Sequence, residues 1–234
     1  MKRVEQHFDE WSKDYSNIHF IEPYFEHWMF ARLIQEIDTN NNPAILDLGT
    51  GDGRLLIAIA KKNPHCTFIG VDISEGMLKQ AKENFRRLGL KGTFSKVDMN
   101  TIPLKDNSVD YVVSSTAIHH VKNKNKLFTE IFRVLKPKGK LLVIDQSDLE
   151  DEEYKKLKHE FKIRKHQFWE RFVKSFDETE EETQKKLKSM KAQHPPEYHV
   201  PPFAIKRMLE KTGFSEVTIL PTPKFFVMYF AVKR

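Results

Sequence analysis

Three glycines at every second position form the most informative pattern in this chain. Gly49, Gly51 and Gly53 follow a short apolar segment and precede a second apolar run, in the sequence AILDLGTGDGRLL. Because glycine has no Cβ, the backbone at such positions can turn tightly and approach a ligand closely. The pattern therefore predicts a binding loop between a strand and a helix.

Two carboxylates stand at corresponding points of two successive strand and helix units. Asp47 precedes Gly49 by two residues, and Asp72 ends a second apolar run, FIGVD, 23 positions after Gly49. In dinucleotide sites, an acid about 20 residues beyond the glycines accepts hydrogen bonds from the hydroxyls of a ribose. We therefore expect a ligand whose ribose is bound by Asp72.

Two details argue against a dinucleotide. Its fingerprint, G-x-G-x-x-G, requires a sixth-place glycine where this chain has Arg54, and Gly53 comes one residue early. Asp47 is also an awkward neighbour for a pyrophosphate, whereas a nucleoside with an ammonium and a sulfonium fits both acids. Here the chain resembles the class I S-adenosylmethionine-dependent methyltransferases. The resemblance is to the methyltransferase type 11 branch, which includes small-molecule and ubiquinone/menaquinone-type C-methyltransferases.

The resemblance implies a cofactor, S-adenosyl-L-methionine, and a set of residues that bind it. Asp47 is expected to hold the ammonium directly or through water, and Asp72 the ribose hydroxyls. Asp98 matches the residue that accepts from the adenine amino group, with Ile73 and Met99 beside the ring. The full set of predicted cofactor residues is Tyr15, Asp47, Gly49, Thr50, Gly51, Gly53, Asp72, Ile73, Met77, Asp98, Met99, Ser114 and Ser115.

Methyl transfer from a sulfonium is an in-line displacement that depends mainly on alignment and on the exclusion of water. A base is needed only if the acceptor atom carries a proton. His119 and His120, in STAIHHV after the fourth predicted strand, are the candidates. A pocket-shaping role is the alternative for either. Adjacent side chains on an extended segment point apart, so at most one should face the substrate.

The elements that must position these residues alternate along the chain. Predicted strands lie in AILDLG, CTFIGVD, TFSKVD, VDYVVSS and KLLVID. Helices are predicted to about Lys62, over Glu75–Leu88, and over KLFTEIFRVLK, which Pro137 and Gly139 end. After a helix from about Pro202 to Lys211, SEVTILP and KFFVMYFAV predict an antiparallel hairpin. The predicted fold class is α/β, a Rossmann-like doubly wound sheet that is parallel except for a final antiparallel strand.

The chain is predicted to be a single domain, residues 1–234, with helical segments outside the cofactor-binding core of residues 44–145. Residues 1–40 are rich in aromatic side chains and predict a helical cover over the site. Residues 146–200 are charged and predict a helical insertion. Residues 201–234 form the last helix and the hairpin.

Composition limits the class of protein further. The 234 residues, 39% of them hydrophobic, suffice for one domain with a core of ordinary size. No apolar run approaches the roughly 20 residues that cross a membrane, and the N-terminus lacks the apolar core of a signal peptide. The single cysteine, Cys66, excludes an internal disulfide and favours a reducing compartment. We therefore expect a cytoplasmic enzyme, a monomer or homodimer.

The net charge of +6 is spread along the chain, which is typical of solvated helix surfaces and predicts no specific nucleic-acid partner. A small-molecule acceptor is the expectation, with O, N, S and C acceptor atoms all open. An RNA or protein methyltransferase and a catalytically silent S-adenosylmethionine-binding module remain the alternatives. His194, Glu197 and His199 lack the spacing of a known ligand set, so no metal is predicted.

Overall fold

The computed structural model describes residues 2–12, 23–147, 196–222 and 226–234. The strands in these residues are β1 (Ala44–Leu48), β2 (Thr67–Asp72), β3 (Gly92–Lys96), β4 (Val109–Ser115), β5 (Leu135–Gln146), β6 (Phe214–Pro221) and β7 (Phe226–Lys233). The helices are α1 (Lys2–Ser12), α2 (Pro23–Gln35), α3 (Arg54–Ala60), α4 (Glu75–Arg87), α5 (Lys124–Val134) and α6 (Pro202–Thr212), with a single 3₁₀ turn over Ile118–His120.

The strands form one sheet in the order β3-β2-β1-β4-β5-β7-β6. β1 pairs in parallel with both β2 and β4, and the β2–β3 and β4–β5 pairs are parallel too. β7 runs antiparallel to its neighbours β5 and β6. A parallel sheet with one final antiparallel strand is confirmed.

Helices cover both faces of the sheet, because the central strands are apolar on both sides. On one face, Leu127, Phe128 and Ile131 of α5 pack with Leu209 of α6 against the strands. On the other face, α2, α3 and α4 bury residues such as Leu33, Leu56 and Leu78. The two apolar layers make the sheet doubly wound, as predicted.

The junction between α5 and β5 differs from the prediction. The helix was expected to continue until Pro137 and Gly139 end it, but α5 ends at Val134 and β5 begins at the next residue. The register against β4 shifts between Val109, which pairs with Leu135, and Tyr111, which pairs with Lys140. Pro137 and Gly139 therefore lie in an irregular part of the strand. The change from helix to strand at Leu135 depends on pairing with β4 and not on local helix-stop signals.

Among the described residues of the N-terminal segment, α1 and α2 are helical. The helices after the glycine loop and after β2 end within two residues of their predicted ends. Most of the predicted helical insertion, residues 148–195, lies outside the described residues, so it stays a prediction, as does the division of the chain into segments. No helix of the described residues combines the length and apolarity needed to cross a membrane.

Candidate functional site

The predicted site residues lie where parallel strands end. Asp72 is the last residue of β2 and Ser115 the last of β4, while Asp47 comes just before the end of β1. Asp145, which was not predicted, lies just before the end of β5. The carboxyl ends of neighbouring parallel strands share one edge of a sheet. The strand order reverses between β1 and β4, and α/β sheets bind their ligands at this kind of switch point.

The glycine loop has a backbone that only glycine adopts readily. Gly49, Gly51 and Gly53 have φ angles of 71°, 54° and 82°. The amides of Gly49 and Thr50 donate to the Val71 carbonyl at 2.8 and 2.9 Å, which fixes the loop to the end of β2. A Cβ on Gly49 would lie 2.3 Å from the Cβ of Ala117. The loop therefore needs glycine both for its conformation and for close packing.

Asp47 is a buried carboxylate whose side chain lacks a full set of partners. It is 1% exposed, and no described residue makes a hydrogen bond to its Oδ1 atom or to Thr50 Oγ1. Burial, and secondarily the charges of Asp72 and Asp52, raise the pKa of Asp47 to about 7, although the Thr50 hydroxyl counteracts part of this shift. An ammonium would supply the missing donor and countercharge. Asp47 and Thr50 thus fit the amino-acid end of S-adenosylmethionine.

Asp72 has a structural task in addition to the predicted one. Its Oδ2 accepts from the Gly51 amide at 2.9 Å, and its Oδ1 accepts from the Ser74 amide at 3.0 Å. Burial raises the pKa of this carboxyl. A carboxylate offers about four acceptor positions, so these amides leave acceptor capacity for a ribose hydroxyl. Ile73, half-buried, follows it directly.

The other predicted cofactor residues differ in what their side chains already contact. Ser114 is fully buried, and its hydroxyl donates to the Leu48 carbonyl at 2.7 Å, so it ties β4 to β1. Asp98 Oδ1 accepts from the backbone and side-chain nitrogens of Asn100 at 3.0 and 3.1 Å. The Met77 side chain is 2% exposed in the first turn of α4, whereas Ser115 is half-buried.

Met99 approaches the glycine loop, because a Cβ built on Gly49 would lie 3.1 Å from Met99 Cε. Tyr15 lies outside the described residues. The structure thus collects the loop, Asp47, Asp72 and Met99 at one place, and whether each predicted residue binds the cofactor stays a prediction.

Helix α1 docks beside Asp72, a contact that the sequence did not predict. Asp9 Oδ1 accepts from the Ser74 hydroxyl at 2.5 Å and from the Gly76 amide at 3.0 Å, so α1 helps to cap α4. A Cβ on Gly76 would lie 2.1 Å from Ser12 Oγ. Glu5 of α1 also forms an ion pair with Lys96 at the end of β3. Only long-range contacts define this docking.

The two predicted catalytic histidines lie in a 3₁₀ turn, so the expectation of an extended segment with side chains pointing apart was wrong. The ring centroids of His119 and His120 are 4.0 Å apart. The chain reverses at Thr116, whose φ of 54° is unusual for a β-branched residue. As a result, His119 returns to the end of β5, where its Nδ1 lies 2.6 Å from Asp145 Oδ1.

A third histidine completes a cluster that we call the histidine cluster: His119, His120 and His199. The His199 ring stacks on that of His119 with centroids 5.6 Å apart and planes inclined by 7°. His120 is half-buried, and the Phe8 ring of α1 contacts it edge to face at 5.3 Å. The cluster therefore joins the 3₁₀ turn, α1 and the segment 196–200.

Backbone contacts fix the segment 196–200 in this position. The Tyr198 amide donates to the His119 carbonyl at 2.7 Å, and Lys124 Nζ donates to the Tyr198 carbonyl at 2.6 Å. Lys124 is 5% exposed, and its burial lowers the pKa of its ammonium. Nζ also donates to the Val121 carbonyl at 2.9 Å, so the Lys124 ammonium links the backbone at Val121 to the backbone at Tyr198.

A cavity of about 410 Å³ lies between this segment and the start of α5. Its lining consists of Lys122, Asn123, Lys124, Asn125, Tyr198, Val200 and Met208. Among the residues that the structure describes, no group of three His, Cys, Asp or Glu side chains has the arrangement of a metal site. His194 lies outside them, so the prediction of no metal is not tested there.

The strand order, the switch-point loop and the two buried acids define a Rossmann-like methyltransferase fold. A model of the methyltransferase domain family matches residues 39–194. The chain therefore belongs to this family, and the predicted resemblance to the methyltransferases is confirmed.

Curated relatives match the core and not the whole length. The chain is 34% identical over 139 residues to malonyl-(acyl-carrier protein) O-methyltransferase of Marinomonas sp. strain MWYL1, covering 59% of this chain and 49% of that protein. It is 36% identical over 106 residues to the ubiquinone/menaquinone biosynthesis C-methyltransferase UbiE of Pasteurella multocida, covering 44% and 40%. The chain thus spans about half the length of the curated relatives it matches.

Solved structures share the fold over nearly the whole chain. Phosphoethanolamine N-methyltransferase 2 of Haemonchus contortus, in complex with S-adenosyl-L-methionine, has a TM-score of 0.69 at 18% identity, covering 97% of this chain and 60% of that one. A SAM-dependent methyltransferase from Aquifex aeolicus has a TM-score of 0.64 at 22% identity, covering 94% and 98%. At these identities the likeness concerns the fold alone.

Proposed function

We propose that this protein transfers the methyl group of S-adenosylmethionine to a small-molecule acceptor held between the glycine loop and the histidine cluster. The observation that carries the cofactor half is Asp47, a buried carboxylate without a partner for Oδ1 in the described residues, next to the glycine loop. An unpaired buried charge is costly, so its presence favours a ligand that brings the countercharge.

The covering elements favour a small acceptor. α1 docks on Ser74 and Gly76 through Asp9, and its Phe8 ring contacts His120, so this helix lies over the edge of the sheet where the methyl donor would bind. A site enclosed in this way excludes water from the reacting atoms and has little room for a macromolecule. One curated relative is named for C-methylation in ubiquinone/menaquinone biosynthesis, which supports a small acceptor. The other is named for O-methylation of a malonyl-(acyl-carrier protein), in which a small acyl group is carried on a protein.

Within this proposal the residues of the chain bind and align more than they react. The glycine loop and Asp47 hold the amino-acid end of the donor, Asp72 holds the ribose, and the histidine cluster faces the acceptor. When bound, the cofactor supplies an electrophilic methyl group. His119 or His120 accepts a proton if the acceptor atom carries one.

The test follows a labelled methyl group into the fractions of a cell extract. Purified protein is incubated with S-adenosylmethionine labelled in the methyl group and with a cell extract divided into low-mass, RNA and protein fractions. We expect label to be transferred in the low-mass fraction only, and to be lost with Asp72→Ala but retained with Asp110→Asn, which changes a carboxylate at the opposite end of the sheet.

Label in RNA or protein would contradict the small acceptor and support the alternative class. Tight cofactor binding with no transfer to any fraction would identify a catalytically silent module. A cytoplasmic location and the oligomeric state stay predictions.

A further inference from the structure

Asp145 is a buried carboxylate in KLLVID, a segment whose residues are typical of an ordinary core strand, so no sequence pattern points to it. Asp145 as a whole residue is 2% exposed, and the side chains of Asp145 and His119 are 3% and 2% exposed. The Oδ1 atom of Asp145 lies 2.6 Å from His119 Nδ1. This distance is typical of a charge-assisted hydrogen bond. A buried carboxylate can only accept, so the proton in the pair belongs on Nδ1 of His119.

The other edge of the His119 ring has no such partner. Within residues 2–12, 23–147, 196–222 and 226–234, the His119 ring makes one hydrogen bond, the one to Asp145. With Nδ1 protonated, the Nε2 atom of a neutral imidazole carries a lone pair. The rings of His120 and His199 contact His119 at centroid distances of 4.0 and 5.6 Å and restrict its rotation.

Two further groups surround the carboxylate. The charge of Asp145 acts against the burial that lowers the pKa of Lys124, whose ammonium donates to the carbonyls of Val121 and Tyr198. On β7, Tyr229 is fully buried, no described residue bonds to its hydroxyl, and burial together with Asp145 raises its pKa well above the ordinary value. The Asp145 side chain thus has one described hydrogen-bond partner, His119, and lies near Lys124 and Tyr229.

We propose that Asp145 is a positioning residue for methyl transfer, which fixes His119 in the tautomer whose Nε2 is the base for the acceptor. In the reaction, the acceptor atom forms its bond to the methyl carbon as the bond from that carbon to sulfur breaks. The electron pair of the broken bond stays on sulfur, and the proton of the acceptor atom goes to His119 Nε2. The resulting imidazolium is stabilised by Asp145.

This inference rests on the proposed function, because a base is useful only when the acceptor atom carries a proton. It nevertheless has a readout that needs no acceptor. Long-range ¹H–¹⁵N NMR of the ligand-free protein distinguishes the two imidazole tautomers, and comparison with His119→Gln assigns the signal. We expect His119 with the proton on Nδ1. A proton on Nε2 in the unmodified protein would overturn the proposal, whatever the acceptor is.

Variants separate positioning from stability. In Asp145→Asn the amide can donate to Nδ1 and so move the ring proton to Nε2, as in serine protease triads, where the corresponding change lowers kcat by about 10⁴. We expect the tautomer to change, kcat to fall about 10² to 10⁴-fold, and the Kd for S-adenosylmethionine to stay within about twofold. Asp145→Glu, which keeps the charge, should restore the tautomer and part of kcat.

Asp110→Asn is the matched control, because Asp110 is a carboxylate on the neighbouring strand β4 that bonds to Lys136 and to the Ala44 amide, away from the histidine cluster. It should leave both readouts unchanged. An Asp145→Asn protein with the original tautomer and unchanged kcat would overturn the proposal. Failure of the small-acceptor proposal would show instead as label in another fraction, with the tautomer unaffected.

Discussion

At the scale of single residues, we expect the ionisation of Asp47 to control the affinity of the site for a cationic ligand. With its pKa raised to about 7, this carboxyl is mostly protonated at pH 6 and half ionised at pH 7. The α-amino group of the ligand, with an ordinary pKa near 7.7–8.0, stays charged over this interval. We expect the affinity for S-adenosylmethionine to rise roughly fivefold from pH 6 to pH 7, with proton release, as measured by calorimetry.

Asp47→Asn is the control for this prediction, since Asp72 and Asp52 also have raised pKa values. The variant should bind more weakly, and its affinity should be nearly independent of pH in the same interval. An equal pH dependence in both proteins would assign the effect to another acid.

The same carboxyl should lower the stability of the ligand-free protein. Below its ordinary pKa of 3.8 the carboxyl is neutral in the folded and unfolded states, and from there to about pH 7 ionisation favours the unfolded chain. The full cost is therefore present at pH 8. We expect Asp47→Asn to raise the free energy of unfolding by roughly 1–3 kcal/mol at pH 8 and by much less at pH 4, as measured by urea denaturation. A variant less stable at pH 8 would contradict this.

At the scale of elements, Lys124 connects α5 to the segment 196–200. Its ammonium donates to the carbonyls of Val121 and Tyr198, so Lys124→Met would leave a buried and a half-buried carbonyl without this donor. We expect the Tyr198 amide, which bonds to the His119 carbonyl, to exchange about tenfold faster with deuterium, the effect of roughly 1.4 kcal/mol. Lys126→Met, an exposed change on the same helix, should leave its exchange unchanged.

At the scale of the whole molecule, the features that could be predicted are those that depend on residues close together in the sequence. The glycine loop, Asp47 and Asp72 are read from spacing within about 25 residues, and the alternation of elements defines the sheet. Asp9 bonds to Ser74, 65 residues away, and Asp145 to His119, 26 residues away, and no periodicity signals either contact. The start of β5 at Leu135 likewise depends on pairing with Val109 of β4.

The docking of α1 on α4 has a consequence for the molecule as a whole. Asp9 and Asp72 both bond to Ser74, the first to its hydroxyl and the second to its amide, so helix docking meets the ribose binding proposed for Asp72 at one residue. If the two events are coupled, linkage requires the coupling free energy to be reciprocal. The factor by which S-adenosylmethionine strengthens α1 docking must equal the factor by which docked α1 strengthens its binding.

Both factors can be measured on the full chain. Deuterium exchange of residues 2–12 with and without ligand gives the first, and the ratio of Kd values for Asp9→Ala and the unmodified protein bounds the second. We expect each to be about 5 to 50-fold. Exchange that ligand does not change would make α1 a fixed part of the scaffold. With such coupling, reciprocity would make the N-terminal helix a binding partner of the cofactor in the thermodynamic sense, through Ser74 and Asp72.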